Sequence, residues 1–320
     1  MYSIFSYAAM IADKVRMTAF RKALAHAVKP GSVVLDVGAG QGIFSMIACE
    51  LGAVRVYAIE PSDVVAVAKE CARANGFAGR VQFFHEVSQK VELPEKVDVI
   101  VSDMRGVLPV FGKHFETIID ARNRFLKPGG RLIPQRDAIS ICLVNAQKER
   151  EQLLKGYSKE MAGFDFAPAL NVATNEFWKV EAASEQMMSD ARNLFKLDYA
   201  TLRSPDLRGS VTLRASREGR VDGTLFWFET ELQDGIGYST GPMCPPTIYG
   251  QGVLPWPEPV NLLAGDTVDL GITVKQIGDD PFWRWQTKIM REGKLFREMD
   301  QSLLPALMLS KDRLHETVVS

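Results

Sequence analysis

Val34-Leu35-Asp36-Val37-Gly38-Ala39-Gly40-Gln41-Gly42 carries a short apolar run straight into three glycines. Such a run reads as a buried strand, the glycines as a turn where backbone can approach a ligand, and Ile43–Leu51 beyond them as a helix. The pattern is G-x-G-x-G rather than the G-x-G-x-x-G of dinucleotide sites, and no Lys-Ser/Thr follows as a phosphate-binding loop requires. Asp36, two residues before the first glycine, would repel a pyrophosphate and suits a ligand with a cationic amine. Glu60 ends the next apolar run, where an acidic side chain accepts hydrogen bonds from two ribose hydroxyls. Amine, ribose and adenine without phosphate describe S-adenosylmethionine, so Asp36, Gly38, Gly40 and Glu60 are candidate cofactor residues.

Outward from this turn, apolar runs alternate with helical spacing. Residues 13–28 form an amphipathic helix that ends at Lys29-Pro30-Gly31. Val54–Ile59, Val81–Phe84, Val97–Ser102 and Arg131–Ile133 read as further strands, with helices over Ser62–Asn75 and Phe115–Phe125 between them. That alternation predicts a parallel, doubly wound sheet. Its ligands sit beyond the carboxyl ends of the strands, where strand order reverses. After Pro134 the texture changes to Ala138–Asn145, a polar helical stretch over Lys148–Lys159, and then Leu194–Tyr199, Gly209–Ala215, Gly223–Leu232, Asp266–Val274 and Trp283–Met290. Short alternating runs separated by turn residues predict an antiparallel β-barrel or sandwich. Leu254–Pro259 is expected to be a rigid connection, Phe282, Trp283 and Trp285 to pack in core and rim, and Ser302–Ser320 to add a docking helix.

Composition narrows the partners. Lys+Arg number 38 against Asp+Glu 39, which gives no global attraction to nucleic acid or to an anionic membrane. Cys49, Cys71, Cys142 and Cys244 form no metal-binding spacing and read as free thiols, so no metal is expected and the expected compartment is the cytoplasm.

With these motifs in view, the chain resembles the protein arginine methyltransferases over nearly its full length. Met10-Ile11-Ala12-Asp13-Lys14-Val15-Arg16-Met17-Thr18-Ala19-Phe20 follows the family's opening helix. The resemblance implies that Arg16 binds the cofactor's carboxylate and that Met10 packs near its sulfonium. It places Ser88 and Gln89 against adenine, with Gln89 where the family has Glu. It also implies an N-terminal cofactor-covering segment (1–29), a Rossmann-like class I methyltransferase domain (30–135), a β-barrel substrate domain (136–302) with a helical dimerisation arm (148–190) and a tail (303–320). A homodimer is expected from the arm, the alternative being a surface excursion of the barrel.

The acceptor side departs from the family. Ser102–Gly112 corresponds to a loop that carries two glutamates; Asp103 takes the first position and Gly112 leaves the second without a carboxylate. Thr247-Ile248-Tyr249-Gly250-Gln251 corresponds to a T-H-W loop whose His and Trp are replaced, so Asp13 loses the partner the family gives it. Arg105 is an added cation, placed to capture an anionic acceptor or to pair with Asp103 and hold the loop. His114 is placed to act as a base near neutral pH or to face solvent at a helix start. Asp103, Arg105, Tyr249 and His114 are thus the candidate catalytic residues. The leading expectation is an S-adenosylmethionine-dependent methyltransferase acting on a protein or peptide. The alternatives are a small-molecule methyltransferase with an anionic or phenolic acceptor, or a non-catalytic cofactor-binding dimeric scaffold.

Overall fold

The computed structural model describes residues 3–110, 112–277 and 280–303. Two helices lead the chain, α1 (Ile4–Ala12) and α2 (Lys14–Ala27). Asp13 separates them, and its side chain accepts from the Arg16 N–H to cap α2. The parallel part then runs β1 (Val33–Val37), α3 (Ile43–Glu50), β2 (Arg55–Ile59), α4 (Val64–Ala74), β3 (Val81–Phe84), β4 (Val97–Ser102), α5 (His114–Phe125) and β5 (Leu126–Ile133). Strand order is β3-β2-β1-β4-β5, all parallel. The order reverses between β1 and β4, so the crevice lies beyond Val37 and Ser102. Every residue of β1 is buried because helices cover both faces of the sheet, α2 and α3 packing on one side and α5 on the other. One core cluster joins Leu35 and Ile100 to Tyr249, Trp256 and Trp283, so parallel and antiparallel parts share packing.

The antiparallel part begins at Arg136, just after the parallel sheet ends at Ile133. It comprises β6 (Arg136–Val144), the helical stretch α6 (Gln147–Leu154), α7 (Lys159–Ala162) and α8 (Ala167–Ala173), then β7 (Trp178–Val180), β8 (Arg192–Asp198), β9 (Leu207–Arg214), β10 (Gly219–Gln233), β11 (Ile236–Ser239), β12 (Gln251–Leu262), β13 (Thr267–Ile277), β14 (Asp280–Arg291) and β15 (Lys294–Ser302). These form two sheets, β7-β12-β10-β6-β8 with β11 added on β10, and β15-β14-β13-β9. The arrangement is a sandwich, not a closed barrel. Their facing sides bury Trp283, Trp285, Phe226 and Trp256.

One expectation changes. Leu254–Pro259 lies within β12, paired to β10 through Leu254 and Pro255, rather than forming a connection. Its prolines sit in a strand whose register slips at that point, where missing donors are tolerated. Strands β7, β11 and β15 carry no strong alternation in sequence and emerge only from pairing. Ser302 ends β15 and the Leu303 N–H donates to the Trp283 carbonyl; the rest of the helix expected over 302–320 lies outside the described residues. Among the described residues no helix is long and apolar enough to cross a membrane.

Candidate active site at the β1–β4 switch point

The glycine turn behaves as its spacing predicts. Gly38, Gly40 and Gly42 have φ of +73°, +54° and +77°, a region that suits glycine. A Cβ on Gly38 would lie 2.6 Å from Met104 Cγ, and one on Gly40 would lie 2.8 Å from the Tyr7 ring. The turn is therefore covered from above by α1 and from the side by the loop after β4. Asp36 points toward α3, where Ser45 donates through N–H (3.0 Å) and hydroxyl (2.7 Å) to Oδ2. Its Oδ1 is buried and receives no hydrogen bond. Burial pushes the Asp36 carboxyl up to about 7, against the lowering effect of Ser45. An orphaned carboxylate oxygen at a strand end asks for a donor from outside the chain.

Glu60 closes β2. Its Oε2 accepts from the Gly40 N–H (2.9 Å) and Oε1 from the Ser62 N–H (2.9 Å) and hydroxyl (2.6 Å). These bonds fix the carboxylate beside the turn, and each oxygen can accept again. Ser88 is buried and Gln89 exposed in a single helical turn after β3, and Arg124 donates to the Ser88 carbonyl at 3.0 Å. The structure brings Gly38, Gly40, Asp36 and Glu60 into one cradle, which fits a ligand with a cationic amine and ribose hydroxyls.

Arg16 reaches across from α2. Its Nε donates to Asp103 Oδ2 at 2.6 Å and to the Tyr249 hydroxyl at 3.1 Å, while NH1 donates to the Met10 carbonyl at 3.0 Å. Met10 is thus tied to Arg16 through its backbone. The guanidinium carbon of Arg16 stands 5.1 Å from the Phe44 ring centroid and 5.3 Å from that of Phe20. Burial would depress its pKa, but Asp103 raises it above the ordinary arginine value.

Asp103 is the hub. Besides Arg16 it accepts from the Tyr249 hydroxyl (2.6 Å, Oδ2) and Arg105 Nε (3.1 Å, Oδ1). Burial alone would raise its pKa; Arg16 and Arg105 outweigh that and hold it below the usual carboxylate range. Tyr238 donates to the Tyr249 hydroxyl at 3.0 Å, with the two rings stacked.

Arg105 is folded inward and its side chain is closed to solvent. NH1 donates to Asp137 Oδ1 (3.0 Å) and Thr230 Oγ1 (2.8 Å), and NH2 to the Tyr238 hydroxyl (3.1 Å). Of the two roles expected for it, pairing with Asp103 is the one the geometry displays. His114 faces neither solvent nor the turn. It is buried, and its Nε2 lies 3.1 Å from the Tyr199 hydroxyl, which donates to Asp137 Oδ2 at 2.5 Å. Since that hydroxyl gives its own proton to Asp137, Nε2 must donate and Nδ1 is left without a partner. Burial pushes His114 down to about 3, far from the near-neutral value of a useful base.

Two departures from the family acquire a local explanation. Asp13, expected to have lost its partner, accepts from the Ile248 backbone N–H at 2.9 Å, so the loop stays docked without the histidine. Gly112 has φ +63° and a Cβ there would meet nothing, so the chain turns where the family carries its second glutamate. Asp137, Thr230, Tyr238 and Tyr199 were not singled out by sequence.

A parallel sheet of this order, with acid-ended first and second strands and a glycine turn between β1 and α3, is the architecture of an S-adenosylmethionine-dependent methyltransferase. Residues 19–135 match the family described as ribosomal protein L11 methyltransferase, and residues 137–281 match the arginine methyltransferase oligomerization subdomain. Protein arginine N-methyltransferase 1 of Schizosaccharomyces pombe is 30% identical over 280 residues, covering 83% of this chain and 80% of that protein. The Saccharomyces cerevisiae protein of the same name is 28% identical over 271 residues, covering 81% and 77%. The chain belongs to the protein arginine N-methyltransferase family. Solved structures agree in fold: a Trypanosoma brucei PRMT1 enzyme-prozyme complex with AdoHcy (TM-score 0.82, 23% identity, 93% of this chain and 97% of that one) and Arabidopsis thaliana protein arginine methyltransferase 10 (0.82, 22%, 94% and 98%).

Proposed function

We propose that this chain transfers the methyl group of S-adenosylmethionine to a side chain of a protein, with Asp103 on the acceptor side. The observation that carries this reading is the Arg16–Asp103 ion pair, because it joins the helix that reaches the cofactor turn to the loop that faces the acceptor. Asp36, Gly38, Gly40 and Glu60 would hold the nucleoside and amine, Arg16 and Met10 the amino-acid tail, and Ser88 and Gln89 the adenine. The bound cofactor supplies a sulfonium methyl that already has a good leaving group. The chain's task is then mainly alignment and exclusion of water. Arg16 pairs with a carboxylate, Tyr249 holds Asp103 in one rotamer, and Asp103, kept ionised by its cations, orients the acceptor's donor group.

The arm supports a homodimer. Met161 and Phe164 are 62% and 74% exposed, and Leu153, Tyr157 and Phe166 are exposed as well, an apolar surface of the kind a partner subunit covers. Free Cys49, Cys71, Cys142 and Cys244 support a reducing, cytoplasmic setting.

The test is transfer of tritiated methyl from S-adenosylmethionine to a cell lysate separated into protein and small-molecule fractions. Label in protein, lost in Asp103→Asn, is expected. Label confined to small molecules overturns the protein acceptor.

A further inference from the structure

The surroundings of Arg105 have the chemistry of a guanidinium receptor. Two carboxylates reach it, Asp103 at 3.1 Å and Asp137 at 3.0 Å, with Thr230 at 2.8 Å on its edge. Aromatic rings enclose its carbon, Phe228 at 5.1 Å, Phe20 at 5.7 Å, and Tyr238 and Tyr249 at 5.9 Å. Planar cations are held by such paired carboxylates and ring faces. One of the two carboxylates, Asp103, also lies on the acceptor side in the function proposed above, on which this inference rests.

We propose that Arg105 determines acceptor specificity by filling, with its own guanidinium, the cation slot beside Asp103. An incoming arginine would find that carboxylate already held by Arg105 and would meet a buried cation of its own sign. The slot is closed to positively charged acceptors, and the methyl acceptor is a side chain that carries no positive charge. Four side-chain donor contacts bind the plug in place, which distinguishes it from a surface arginine that substrate could push aside.

Removal of the plug should convert it into a binding site for the missing group. Arg105→Ala is expected to lower Tm by about 5 °C. Guanidinium or methylguanidinium at low-millimolar concentration should restore most of that loss saturably, whereas urea, neutral and of similar shape, should not. Wild type should show no saturable gain from either cation. Arg105→Gln, which keeps an amide donor toward Asp103, guards against a variant too unstable to purify and should show the same selective rescue. If neither variant responds to the cations more than to urea, or if wild type responds equally, the assignment is overturned. Calorimetry of wild type with S-adenosylhomocysteine separates the two ideas. No binding there overturns the cofactor reading, while rescue failing alongside intact binding overturns the plug alone.

Discussion

Arg16 Nε lies 2.6 Å from Asp103 Oδ2 with both side chains almost closed to solvent, so a residue of α2 and a residue after β4 share one buried charge pair. The pair spans the crevice where strand order reverses, and in the function proposed above its two members face different ligands. Arg16 holds Asp103 through Nε and the Met10 carbonyl through NH1, and Arg105 and Tyr249 hold Asp103 as well.

Arg16→Met removes the cation that the cofactor tail would use. S-adenosylhomocysteine should bind about 10- to 100-fold more weakly, the worth of a charge-assisted hydrogen bond in a buried site. Isothermal titration calorimetry measures it, and undiminished affinity would place the tail elsewhere.

Asp103→Asn leaves two buried guanidiniums without their common carboxylate. The expected loss is about 3 kcal/mol of unfolding free energy. In wild type, the folded pKa of Asp103 is depressed, so its contribution is present above the unfolded carboxylate value and is lost as pH falls through the folded one. Denaturant unfolding between neutral and acidic pH should show wild type losing more stability than the variant.

Asp36 titrates in the opposite sense. Its folded pKa of about 7 exceeds the ordinary 3.8, so folding favours the protonated form. The stability that protonation contributes is full below the ordinary value and fades as pH rises through about 7. A cationic amine beside Oδ1 favours ionisation, so affinity for S-adenosylhomocysteine should grow as pH rises through this window. Asp36→Asn should bind weakly with no such trend, and a wild-type affinity flat across the same pH range would contradict the contact.

His114 gives a third pH signature. Buried neutral with a pKa of about 3 against an ordinary 6.5, it makes the folded state take up its proton later than the unfolded state. Its contribution is present above pH 6.5 and drains away as pH falls toward 3. His114→Gln should reduce the acid sensitivity of Tm over that interval and leave the pH profile of methyl transfer unchanged, since no near-neutral base is removed.

The apolar arm predicts assembly. Met161→Ser with Phe164→Ser, both on exposed positions, should shift a dimer toward monomer in light scattering without lowering Tm of the monomer.

Local sequence determined the parallel half of this protein. The strand into Gly38, the acid at Glu60 and the spacing of the helices each depend on neighbours a few residues away, and the chain's period shows them directly. It also marked Asp103, Arg105 and Tyr249, through their place in recognisable loops. Tertiary structure alone decided what those residues do to one another. Arg105 meets Asp137 across 32 positions and Thr230 across 125, and Asp13 finds the Ile248 N–H across 235. The same holds for His114, whose ring nitrogen meets Tyr199 just past the end of β8, and for Pro-rich β12, whose strand character comes from pairing with β10. Charge pairing and strand pairing are contacts between distant segments, so their partners are set by how the two halves pack and leave no local pattern to read.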